Sequence, residues 1–260
     1  MDLSILKARL SGLQNPKGEM KKTLWSPSIG KHSVRILPSA FDKTNPFKEL
    51  YFHYSIGNKT MIALSNFGEK DPIVEFTQKL RRSSNKEDWS LAKKLEPRLR
   101  IYAPVIIRGE EDKGVLLWGF GKTVYMDLLS IANDEDVQDY TDPLQGRDIT
   151  IETLGKETTG KDFNTSSIRV RTKITPLSEN SEQAKNWLTN QPNPIEQFSK
   201  VSYEDMKAAL LNYLNPEEEA PAQEEVNDLP FDVPPPQTKS FSLNTSKPAV
   251  DDRIDQLFDF

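Results

Sequence analysis

Between Ser33 and Ile174 the apolar residues come in short runs: Val34 to Leu37, Leu50 to Ile56, Thr60 to Leu64, Leu99 to Ile107, Val115 to Phe120, Ile149 to Leu154 and Ile168 to Ile174. Turn-forming residues separate them, and Gly57-Asn58 and the stretch from Gly109 to Gly114 suit hairpin connections. This punctuation predicts a small antiparallel β-domain. Helical spacing appears between the runs at Pro72 to Arg82, Trp89 to Leu95 and Thr123 to Ala132, and after them at Ser181 to Thr189 and Tyr203 to Leu214. The expected class is therefore mainly β with inserted helices, α+β, the simplest architecture being a β-barrel core. The longest apolar stretches, Ala103 to Ile107 and Val115 to Trp118, fall far short of the roughly 20 residues that span a bilayer.

Both ends differ from this middle. Leu3, Leu6, Leu10 and Leu13 predict a short amphipathic helix with Lys7 and Arg9 off its apolar face. Alone such a helix is marginal, so it is expected to pack on its own domain or on a neighbouring protomer. From position 216 the chain is rich in Pro, Glu, Asp, Gln and Ser without sustained periodicity, a composition that cannot offset the entropy of ordering. Four parts are expected: a helical arm for protomer contact (1–22), a β-core (23–178), a helical extension (179–215) and a disordered acidic tail (216–260).

Charge follows the same division. The chain totals −5, yet residues 1–122 carry +9, residues 123–215 carry −6 and residues 216–260 carry −8. A basic half and an acidic tail can serve separate ligands. There is no cysteine, which removes disulfides, thiolate metal sites and thiol nucleophiles. The opening residues MDLSILKARL do not read as a secretory signal, so an intracellular protein is expected.

Catalytic motifs fare poorly. Gly155 to Lys161 has phosphate-loop spacing, but Asp162 stands where magnesium needs Ser or Thr, and a strand pattern follows where a helix is required. Gly119 to Thr123 lacks the first glycine of that motif. The two histidines, His32 and His53, belong to no recognisable triad or metal signature, and the acidic runs 110–112 and 134–136 lack the alternating ligand spacing of a metal loop. No enzyme and no metal site is expected.

From Lys79 to Tyr125, in contrast, cations and aromatics interleave: Arg81, Arg82, Trp89, Lys93, Lys94, Arg98, Arg100, Tyr102, Trp118, Lys122 and Tyr125 among them. A groove for single-stranded nucleic acid needs this mixture, because Lys and Arg track phosphates while flat side chains stack on unpaired bases. Arg98, Arg100 and Tyr102 alternate, which places them on one strand face. The competing reading makes the aromatics core residues and the cations a solvated face.

With those residues in view, the chain resembles the single-stranded DNA-binding, helix-destabilising proteins of T4-like bacteriophages. The likeness runs from about Trp25 to Lys173 and rests on the runs VRILPS (34–39), WSLAKK (89–94), RIYAPV (100–105) and LWGFGK (117–122), followed by Tyr125. It implies an OB-fold core and a partner, single-stranded DNA. Under it, Trp89, Tyr102, Trp118, Tyr125 and Phe163 are cleft aromatics, and Arg35, Lys93, Lys94, Arg98, Arg100 and Lys122 are backbone-binding cations. Roles in phage DNA replication, recombination and repair follow, with self-association along DNA through the basic arm, here only Lys7 and Arg9 among apolar neighbours. The family's best-known member holds a zinc through one histidine and three cysteines. His53 falls near that histidine, but without cysteines the zinc is expected to be lost, leaving the loop from Ser65 to Pro72 to packing by Phe67 and Ile73.

The tail holds two islands that resemble the acidic, Phe-containing tips of bacterial single-stranded DNA-binding proteins. One comprises Asp228, Leu229, Pro230, Phe231 and Asp232, and the other includes Asp255, Leu257, Phe258 and Phe260. Each suits an apolar pocket rimmed by a partner's Lys or Arg, so recruitment of replication, recombination or repair proteins is expected. Two alternatives share these features: an RNA-binding translational repressor using the same groove, and a protein-interaction adaptor that binds no nucleic acid.

Overall fold

The computed structural model describes residues 23–57 and 59–215. The arm with Lys7 and Arg9, and the tail with both Phe-containing islands, lie outside the described residues. In chain order the strands are β1 (Leu24–Trp25), β2 (Gly30–Ile36), β3 (Lys48–Ile56), β4 (Lys59–Ile62), β5 (Arg98–Ile107), β6 (Leu116–Phe120), β7 (Arg147–Leu154) and β8 (Thr165–Ile174). The helices are α1 (Pro72–Arg82), α2 (Lys86–Leu95), α3 (Lys122–Ala132), α4 (Lys156–Thr159), α5 (Ser181–Thr189) and α6 (Tyr203–Leu214). The class is α+β, mainly β with inserted helices. The seven strands and five helices expected between Ser33 and Leu214 are present, and the helix expected from Leu3 to Leu13 lies outside the described residues; β1 and the single-turn α4 are additions too short to show a period.

The described chain divides into two compact units, residues 23–49 with 100–198 and residues 50–99 with 199–215. Residues 179–198 of the expected helical extension fall in the first unit and 199–215 in the second.

The first unit is built on the strand order β1-β6-β5-β2-β7-β8. β1 runs parallel to β6, and the other neighbours are antiparallel. Ile101 to Ile107 of β5 are buried without alternation because both faces are covered. Gly119 lies opposite Tyr102, and a β-carbon there would sit 2.9 Å from the tyrosine ring, so the glycine makes room for the aromatic. Trp187 of α5 packs with Leu37, Ile106 and Leu177. Gly155 to Lys161 contains only the one turn of α4 before β8 begins, as expected for a loop that does not open a phosphate-binding helix.

In the second unit, β3 and β4 form a hairpin with Phe52 opposite Ile62, and Gly57 takes the left-handed conformation (φ 59°) at its turn. Ile73, Phe76 and Leu80 of α1, Leu91 and Leu95 of α2, and Met206, Leu210 and Leu214 of α6 recur at helical spacing and share one core with Met61 and Leu64. Each such side chain contributes roughly 1.5–3 kcal/mol by leaving water. Asp71 caps α1 by accepting from the amides of Ile73 and Val74, with Pro72 at the first helical position; Asn85 and Ser202 cap α2 and α6.

Candidate nucleic-acid interface

Three residues expected at the interface lie in the core instead. Tyr102 and Trp118 are fully buried, Tyr102 against Phe198 and Trp118 against Phe120 and Trp25. Arg35 is fully buried too. Its Nε donates to Asp148 Oδ1 at 2.9 Å and its Nη2 donates to the carbonyl and hydroxyl of Thr175 at 2.6 Å each. Arg108 donates to the same carboxylate from Nε and Nη2. Burial lowers the Arg35 pKa and Asp148 opposes that shift. Gly146 is required beside it, since a β-carbon would lie 2.5 Å from Arg35 Nη1 and 2.4 Å from the Asp142 carbonyl. Arg35 therefore ties β2 to β7 and to the chain after β8, with no surface left for a phosphate. Its place inside the apolar run VRIL was the signal.

The second unit holds Arg81, Arg82, Trp89, Lys93, Lys94 and Arg98. Trp89 is 50 % exposed, and its Nε1 donates to the Ser83 carbonyl at 3.0 Å, which fixes the ring. The Arg81 guanidinium lies 4.8 Å from the Trp89 ring centre and is paired with Glu96. Lys86, Trp89 and Lys93 are all exposed and follow one another at spacings of three and four, so α2 presents a cation–aromatic–cation stripe. Arg82 is exposed and Lys94 half-buried. Arg98 is exposed at the start of β5, its guanidinium 6.0 Å from the Tyr54 ring.

In the first unit, Arg100 is half-buried and approaches Gly121, at the N-terminus of α3. Along the face Arg98-Arg100-Tyr102, β5 thus passes from solvent into core. Lys122 is exposed in the first turn of α3. Tyr125 is half-buried: it packs edge-on against Phe47 at 5.3 Å and donates to Glu49 Oε1 at 2.9 Å. Burial and that carboxylate raise its pKa. Phe163 is 43 % exposed with Lys161 Nζ 5.9 Å from its ring centre.

A further row escaped the sequence reading. Arg169, Arg171 and Lys173 are exposed on β8 at alternate positions; Arg169 lies opposite Thr150, Arg171 Nε donates to the Thr150 hydroxyl at 3.4 Å, and the pairing with β7 shifts register between Val170 and Ile174. Their period of two in a strand already recognised was the available signal. Each unit thus pairs exposed aromatics with unburied cations, the combination that captures bases and phosphates together.

Residues 29–215 match the family model described as gp32 DNA binding protein like. The chain belongs to this family. A search of curated proteins finds no match. The gp32-like span takes in both described units apart from residues 23–28, which hold β1, and the chain is accordingly a DNA-binding protein. Among the described residues no helix is long and apolar enough to cross a membrane.

The zinc suggested by the family's best-known member does not fit this gp32-like chain. There is no cysteine, and among the described residues no cluster of three or more His, Cys, Asp or Glu side chains is placed to hold a metal. His53 has both ring nitrogens engaged, Nε2 with Asp71 Oδ2 at 3.0 Å and Nδ1 with the Leu95 carbonyl at 3.2 Å. Asp71 Oδ2 also accepts from the amide of Leu64 at 2.8 Å. The loop from Ser65 to Pro72 is therefore held by a buried polar hub as well as by the expected apolar contacts, of which Ile73 is fully buried and Phe67 only half-buried.

Proposed function

We propose that this gp32-like chain coats single-stranded DNA with little sequence preference during phage DNA replication, recombination and repair, and recruits partner proteins through its acidic tail. The observation that carries the reading is the stripe Lys86, Trp89 and Lys93: a fixed, half-exposed indole between two cations serves an unstacked base and its flanking phosphates, and a base paired in a duplex offers no free face to it. Arg82 and Arg98 in the second unit, and Lys122, Phe163, Arg169, Arg171 and Lys173 in the first, extend the same chemistry. Duplex recognition would call for a helix carrying base-reading side chains along one exposed face, and α2 instead offers an indole and lysines. The N-terminal arm, through Lys7 and Arg9, is assigned to protomer contact along the strand, and the two Phe-containing islands to partner docking.

Titration of the full chain with oligo-dT at two salt concentrations, followed by tryptophan fluorescence, tests this. Quenching with affinity that falls as salt rises is expected; no quenching at either salt would refute it. Competition between oligo-dU and oligo-rU of equal length decides between DNA and RNA, since these two differ only in the 2′-hydroxyl.

A further inference from the structure

Burial of Tyr102 and Trp118 leaves the first unit with few surfaces for stacking. Among its described residues two aromatic side chains stand exposed, Phe163 and Phe41, the latter at 56 %. Phe41 occupies the crown of the loop between β2 and β3, and that loop is rigidly held. Gln191 Nε2 donates to the Pro38 carbonyl and Gln191 Oε1 accepts from the Ala40 amide, both at 2.8 Å. Ser39 Oγ accepts from the amides of Phe41 and Asp42. Asp42 Oδ1 accepts from the amide and hydroxyl of Thr44, and Asn45 Oδ1 accepts from the amide of Phe47. A loop so pinned presents its aromatic without further ordering cost.

Beside Phe41 lies a cleft of about 470 Å³ between this loop and residues 191–195. Its apolar walls include Pro46, Phe47, Pro192, Pro194 and Ile195, with Lys43 and Lys48 exposed at the loop side. The volume is in the range of small-ligand sites. The Asp42 carboxylate, the one acid among the lining residues, accepts from Thr44 and also attracts Lys48, a charge that an incoming phosphate would share.

We propose that Phe41 and this cleft form a nucleobase subsite, with Phe41 stacking on one base of a bound single strand and Lys43 and Lys48 taking the adjoining phosphates. The inference rests on the single-strand reading above and adds a contact outside the region where cations and aromatics interleave in sequence. A free aromatic face, apolar walls and two lysines match the three parts of a nucleotide strand, base, sugar edge and phosphate.

The test uses the full chain, wild type and Phe41→Ala, with fluorescein-labelled oligo-dT and with the same oligonucleotide carrying abasic sites throughout, read by anisotropy. Phe41→Ala is expected to weaken oligo-dT binding by roughly five- to a hundredfold, the range of one lost base stack. The penalty should vanish on the abasic strand, where nothing remains to stack. Phe41→Trp should retain affinity, and its added emission should be quenched on binding. Lys43→Ala with Lys48→Ala should reduce the salt dependence on both strands. Equal oligo-dT affinity of wild type and Phe41→Ala overturns the subsite, as does an equal penalty on both strands. Failure of the wild type to bind any oligonucleotide overturns the single-strand reading instead. Thermal melts matching wild type are expected for Phe41→Ala, because the side chain is exposed.

Discussion

His53 Nε2 stands 3.0 Å from Asp71 Oδ2, and both side chains are closed to solvent. Acceptors face the ring at both nitrogens, the Asp71 carboxylate at Nε2 and the Leu95 carbonyl at Nδ1. Asp71 in turn receives the amides of Leu64, Ile73 and Val74, so one carboxylate binds the hairpin, the loop and the start of α1. Burial by itself would raise the Asp71 pKa, but the hydrogen bond and charge of His53, with the backbone amides, hold it below the usual carboxylate range.

A carboxylate depressed in the native state stabilises above its unfolded pKa, about 3.9, and loses that contribution as pH falls through the native value. Asp71→Asn should therefore cost about 3–5 kcal/mol at pH 7, as expected for one partner removed from a buried pair. The gap to wild type should narrow in urea melts as pH is lowered from about 4. A constant gap across that window would show that the charge of Asp71 does not contribute.

Arg35 and Asp148 make a second buried pair, and here the expected outcome separates structure from binding. Arg35→Ala should lower stability by about 3–5 kcal/mol, because Asp148 and the carbonyls around Thr175 lose a buried donor. The salt slope of DNA binding measured on the folded fraction should stay at the wild-type value. A reduced slope would return Arg35 to the set of phosphate contacts.

At the surface the two kinds of contact should respond differently. Trp89→Ala should weaken oligo-dT binding by about 1–3 kcal/mol at every salt concentration. Replacing Arg169, Arg171 and Lys173 together should instead flatten the salt dependence, by about 0.7 in slope for each phosphate released. Fluorescence titrations across a salt series distinguish the two.

Deletion of residues 216–260 removes a −8 segment from a protein whose first 122 residues carry +9. An acidic tail also competes with DNA for a basic surface, so the truncated chain is expected to bind more tightly at low salt, with the difference shrinking as the Debye length falls to about 8 Å and below. Equal affinities at low salt would leave the tail with recruitment alone.

Much of the fold is legible in the sequence because strand and helix periods are local properties. Ile73, Phe76 and Leu80 announce α1, and the run Val34 to Leu37 announces β2. The site is less so. Period two places Arg98, Arg100 and Tyr102 on one face, yet whether that face meets water changes along the strand: Arg98 is exposed and Tyr102 fully buried. The same rule marks Arg169, Arg171 and Lys173 as neighbours; all three are exposed because β8 is covered so little, although its register with β7 shifts between Val170 and Ile174.

What the sequence alone determined is the alternation of short strands with amphipathic helices, the separation of basic and acidic regions, and the absence of thiol chemistry. Tertiary structure alone decided which cations and aromatics are available. Arg35 and Trp118 have the residue types of a DNA interface, but an antiparallel partner on each side of β2 and of β5, and the packing of Trp25, Phe120 and Phe198, take Arg35, Trp118 and Tyr102 out of solvent. Trp89 and Phe41 remain outside because one lies on the uncovered side of a helix and the other on a hydrogen-bonded loop. Burial depends on what the rest of the chain brings to each face, and no local period encodes that.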